Sequence, residues 1–78
     1  MDRLSQLQRI FREVFDDEEL RITPETSQKN LAGWDSVSQL KIILTVEAEL
    51  GMRFETEEVS SARSVAELLA VIQRHLGS

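Results

Sequence analysis

The sequence predicts an all-α fold: a small bundle of three main helices plus one short helix, with a long loop between the first and second. Three observations predict it. Apolar residues recur at helical spacing in three separate stretches, no stretch alternates as a half-buried strand does, and Gly, Ser or acidic residues mark the stretch ends.

The first stretch carries Leu4, Leu7, Ile10, Phe11, Val14 and Phe15, with Arg3, Arg9, Arg12 and Glu13 between them. Asp2 is placed to cap it. It should end near Asp16-Asp17-Glu18-Glu19, because negative charge is unfavourable at a helix C-terminus, and that cluster reads as a solvated loop. Residues 18 to 35 hold no sustained period; Leu20, Ile22 and Leu31 stand as isolated apolar anchors. A loop of this length inside a small fold points to function. The second helix should run from about Ser36 to Leu50. Val37, Leu40, Leu44 and Ala48 form one apolar stripe, with Ile43, Val46 and Leu50 beside it. Only Ser38, Lys41, Thr45 and Glu49 make a polar strip, so this helix is expected to be central and to pack against more than one neighbour. Gly51 stops it. Phe54 to Ser61 allows one or two turns. Ser64 and Glu67 then fit a capping box ahead of Val65, Leu68, Leu69, Ile72 and Leu76, with Gly77 as the stop.

The chain has 78 residues, read as one domain spanning 1–78, and lies near the size at which a single core is barely sufficient. It has no Cys and one His, so neither a disulfide nor a zinc site is available to support it. A formal net charge of −5 argues against nucleic acid and for partner proteins with basic patches. Ile42-Ile43-Leu44 is the longest markedly apolar run, far short of a membrane span, and no apolar signal segment follows Met1. A cytoplasmic monomer is expected, and the fit of the first and last helices to the ends of the sequence suggests a stand-alone protein.

The long loop ends at Gly33-Trp34-Asp35-Ser36-Val37. At a helix start the first backbone N–H groups lack intrahelical partners and the dipole places partial positive charge nearby. A phosphodiester on Ser36 would sit in a favourable field there. Asp35 either caps the helix or helps present the hydroxyl. By itself Asp35-Ser36 is an ordinary cap. Ser36 is not a hydrolase nucleophile, since no His lies near it in sequence; His75, at the far end of the last helix, reads as a surface residue complementing that helix's C-terminus. No paired acid–base or metal-ligating constellation marks an enzyme.

Taken together, Gly33-Trp34-Asp35-Ser36-Val37, the apolar helix, Glu47-Ala48-Glu49-Leu50-Gly51, Phe54, the Glu-rich short helix and the last helix from Ser64 resemble the acyl carrier proteins over nearly the whole chain. The resemblance implies a 4'-phosphopantetheine donated by coenzyme A and joined to Ser36, whose thiol holds acyl, aminoacyl or polyketide intermediates as thioesters. It implies three kinds of partner: a phosphopantetheinyl transferase, an acyl- or aminoacyl-loading ligase, and synthase or transferase enzymes that use the thioester. The lack of Cys agrees with a thiol supplied by a prosthetic arm. Leu40, Leu44, Val46 and Leu69 are candidates to line a groove for a sheltered acyl chain, although ordinary core packing is the leading reading of each.

Two features depart from the carriers of fatty acid synthesis. Where those have acids early in the second helix, this chain has Ser38 and Lys41. Five acids and two bases between residues 36 and 62 leave a balance of −3, displaced towards Glu47, Glu49, Glu55, Glu57 and Glu58. Trp34 stands where a small residue is common; it covers the core beneath the loop or joins a partner contact. The expected partner surface therefore comprises Trp34, Val37, Lys41, Glu47, Glu55, Glu57 and Glu58, and the chain reads as a carrier of a specialised pathway. The second reading is an unmodified helical adaptor of the same fold.

Overall fold

The computed structural model describes residues 2–77. Four helices follow one another: α1 (Arg3–Phe15), α2 (Ser36–Leu50), α3 (Thr56–Ser61) and α4 (Val65–Gly77). Among the described residues the only bridge-type pairing is the isolated one between Ser27 and Ser64.

Each helix begins where its cap chemistry dictates. Asp2 accepts the Ser5 N–H at 2.7 Å, which satisfies one orphan donor of α1. At the other end Asp16 adopts a left-handed conformation and returns its N–H to the carbonyls of Arg12 and Glu13. Glu58 accepts the Glu55 N–H at 2.8 Å and closes the first turn of α3. Ser64 caps α4 through its hydroxyl, which accepts the Glu67 N–H at 3.1 Å. Glu67 reaches back further than a capping box requires: its carboxylate accepts from the Arg63 N–H and the Ser64 hydroxyl. The reason is that the long loop crosses here. The carbonyls of Thr26 and Pro24 accept the N–H groups of Val65 and Ala66, supplying partners that the box alone would not.

One core joins α1, the loop, α2 and α4. Leu7, Ile10, Phe11, Ile22, Trp34, Ile42, Ile43, Val46, Val65, Leu68, Val71 and Ile72 are all buried in it. Leu20, Ile22 and Leu31 anchor the loop as the sequence implies, helped by Gln8 accepting the Ile22 N–H and by Arg12 donating to the Leu20 carbonyl. Three expectations are corrected. Leu76 is exposed, while Val71 takes the buried position. Gly77 belongs to α4 and lacks the left-handed geometry of a stop. Most importantly, α2 is not surrounded: its buried face is Gln39, Ile42, Ile43 and Val46, and the stripe of Val37, Leu40, Leu44 and Ala48 faces solvent. The helices of so short a chain cover one side of α2 and leave the other open.

Candidate functional site

The site is assembled at the junction of the loop and α2. Gly33 turns the chain with φ at +90°, a region L side chains rarely adopt. Trp34 then drops into the core, and Asp35 takes an extended conformation and accepts the Ser38 N–H at 3.0 Å. Asp35 thus caps α2, and the Ser38 amide holds its carboxyl below the usual aspartate range. Ser36, the first residue of the helix, is exposed. Two residues on, the Ser38 hydroxyl donates to the Gly33 carbonyl at 2.7 Å. The two serines therefore differ in kind: Ser38 is tied into the turn, and Ser36 is presented.

Ser36 opens onto a depression of about 440 Å³ lined by Gln28, Ser36, Gln39, Leu40, Val59, Ser60 and Arg63. This setting fits a covalent phosphodiester. The anion would meet the start of a 15-residue helix, and Arg63 lines the same depression. Among the described residues no cluster of His, Asp or Glu could hold a metal ion, and no helix is long and apolar enough to cross a membrane.

The residues expected at a partner surface separate into two groups. Val37, at 62% exposure, stands free beside Ser36; Lys41, Glu55 and Glu57 are exposed at their own positions, Glu55 as the N-cap of α3. Trp34 is buried instead, and the partly exposed Glu47 and Glu58 are engaged by other groups of the fold. Trp34 is only 3% exposed, its ring set edge-on to Phe11 at 5.0 Å, so it covers the core and cannot offer a contact face. Glu47 accepts the Phe54 N–H at 2.8 Å and fastens the segment that leaves α2. Glu58 faces His75 at 2.9 Å and Arg74 at 3.6 Å, and the Glu55 amide, then His75, lower its pKa below the usual range. His75 is accordingly half-buried against Glu58 and Phe54, not a free surface group at the end of α4.

Gln39 is the residue that sequence reasoning misses. It is only 6% exposed, and its Oε1 accepts the Trp34 Nε1–H at 2.8 Å. Its amide donates to the carbonyls of Val59 at 3.1 Å and Ala62 at 2.9 Å. The available signal was its register: Gln39 falls at i, i+3, i+4, i+7 with Ile42, Ile43 and Val46. A lone polar residue in that row belongs to the buried face.

Of the candidate groove residues, Leu40 and Leu44 are 55% exposed each and Val46 is fully buried. Only Leu40 lines the depression beside Ser36.

Comparisons with known proteins agree with this geometry. Residues 5–72 match the family model described as the phosphopantetheine attachment site. The solution structure of a holo acyl carrier protein from Geobacter metallireducens is similar with a TM-score of 0.87 and 32% identity, over 99% of this chain and 88% of that one. A protein assigned as an acyl carrier from Mycobacterium tuberculosis shares the fold at a TM-score of 0.82 and 13% identity, over 91% of this chain and 95% of that one. Comparison with curated proteins gives no match. The match favours a carrier over the unmodified adaptor. The chain belongs to the phosphopantetheine-attachment family and is an acyl carrier protein bearing a covalent 4'-phosphopantetheine.

Proposed function

We propose that Ser36 is the residue that carries the arm, and that the chain serves as a cytoplasmic, monomeric carrier, catalysing nothing itself. The carrying observation is the contrast between the exposed Ser36 at the first position of α2 and Ser38, whose hydroxyl is engaged by Gly33. When attached, the arm supplies a thiol that holds an acyl group as a thioester. The chain's own residues position it. The α2 amides and Arg63 favour the phosphodiester, Asp35 keeps the helix start rigid, and tethering gives each enzyme a high local concentration of substrate.

The partners in this reading are a phosphopantetheinyl transferase, a loading ligase and the enzymes that use the thioester. All three must approach Ser36 and so meet Val37, Leu40, Lys41 and Leu44. That face is apolar with a single positive charge, which suits enzymes contributing apolar groups and an acid opposite Lys41. It does not suit the basic surfaces that serve carriers with an acidic second helix, and so it supports a role outside the main fatty acid pathway. Glu55 and Glu57 leave a separate acidic patch on α3 for basic groups.

The test is intact mass after incubation with coenzyme A and a broad-specificity transferase. One added phosphopantetheine is expected on the wild type and on Ser38→Ala, and none on Ser36→Ala. An unchanged wild-type mass, or modification of Ser36→Ala, overturns the assignment.

A further inference from the structure

Between Ser36 and the core stands the nearly buried Gln39 side chain. Gln39 lies a turn below Ser36 on the same side of α2, and both line the 440 Å³ depression. Beyond Gln39 the packing is apolar and closed, with Ile42, Val46 and Leu68 almost fully buried. The Gln39 amide spans this opening. Its oxygen holds Trp34, and its two N–H bonds run to the Val59 carbonyl of α3 and the Ala62 carbonyl at the end of α3. Both of its donors and one acceptor position are used, and no buried side-chain polar atom is left without a partner among the described residues.

We propose that Gln39 bolts α2 to α3 and closes the route from Ser36 into the core, so that the cargo of this carrier rides outside the bundle. This inference rests on Ser36 as the attachment residue. An alkyl chain displacing Gln39 would have to break three hydrogen bonds of a side chain that is only 6% exposed. That would strand the Trp34 N–H, the Gln39 amide and two carbonyls at once. The depression outside the bolt offers instead Gln28, Ser60 and Arg63 around Leu40. Short or polar acyl groups, aminoacyl and hydroxyacyl groups among them, need no apolar shelter and meet polar partners there. Long alkyl chains would be left in water.

The experiment loads the full chain with acetyl- or octanoyl-phosphopantetheine from the corresponding coenzyme A thioesters and compares the two products. Thermal unfolding, the emission of Trp34 and nuclear Overhauser contacts are the readouts. The expected result is a midpoint equal within about 2 °C for both forms, unchanged Trp34 emission, and no contact from the octanoyl methylenes to Ile42, Val46 or Leu68. Sheltering just two methylenes would raise the octanoyl midpoint by roughly 6–13 °C in a domain of this size. Such a rise, with core contacts, overturns the inference and leaves Ser36 as the attachment residue. Failure to load either group removes the attachment assignment and this inference with it. In Gln39→Ala the bolt is gone, and octanoyl is expected to stabilise more than acetyl. A folded Gln39→Ala with no chain-length dependence refutes the role given to Gln39, and the wild-type comparison decides alone if that variant does not fold.

Discussion

The two faces of α2 are made of similar residues and do opposite things. The inner face, Gln39, Ile42, Ile43 and Val46, is packed to exclusion of water. The outer face, Val37, Leu40, Leu44 and Ala48, is nearly as apolar by sequence and lies open. Apolar character alone does not decide burial. The inner face has α1, α3 and the loop residues Ile22 and Trp34 on its side, and the outer face is only flanked at its edges, leaving Leu40 and Leu44 55% exposed. Large apolar groups exposed in a row beside the proposed attachment serine are, in our proposal, the face that partners meet.

Substitutions matched across the helix sharpen this contrast, and the largest effect is on the inner side. Ile42→Ala removes a fully buried side chain and should cost about 2–5 kcal/mol in chemical denaturation. A loss near zero would mean that α2 is packed differently. Next is Asp35→Ala, at the point where both faces begin. Loss of its bond to the Ser38 amide should lower the unfolding midpoint by a few degrees and slow modification of Ser36 through a frayed first turn. Equal stability and equal modification rate would show that the cap does not shape the site.

A smaller effect is expected at Glu58, on α3 beside the inner face. Its folded-state pKa is lowered by the Glu55 amide, then His75, so its contribution is complete above the unfolded-state value. That contribution is lost as pH falls through the lower folded value. Glu58→Gln should therefore be less stable than wild type at neutral pH, and the difference should vanish in acid below the usual carboxylate range. A gap that persists there would assign the effect to packing. The least effect on stability belongs to the outer face: Leu44→Ser should stay within about 0.5 kcal/mol of wild type. Its cost should appear in the rate at which loading and processing enzymes use the carrier. Full turnover with Leu44→Ser would dismiss the outer face as a docking surface.

Much of this was legible in the residues. The helix positions follow from period and caps: Asp2, Asp35, Ser64 and Gly51 act locally, within a turn of where they stand in the chain. Ser36 was legible for the same reason, since a helix start is a local event. Gln39 was not, because its three partners lie 5, 20 and 23 residues away and only the packed helices bring them together. Glu47 and Glu58 read as free surface acids until Phe54 N–H and His75 are seen to engage them. Trp34 could be read both ways, and the Phe11 ring and Gln39 fix it inside.

The sequence by itself determined four helices, a long anchored loop, an acidic surface and a serine presented at a helix start. Those properties depend on neighbours within a few residues, where spacing and cap chemistry act directly. Only the tertiary structure decided which apolar stripe of α2 is core and which is surface, and that a buried amide stands between Ser36 and the interior. Those depend on which distant segments arrive at each side of the helix, and periodicity along one segment holds no information about what packs against it.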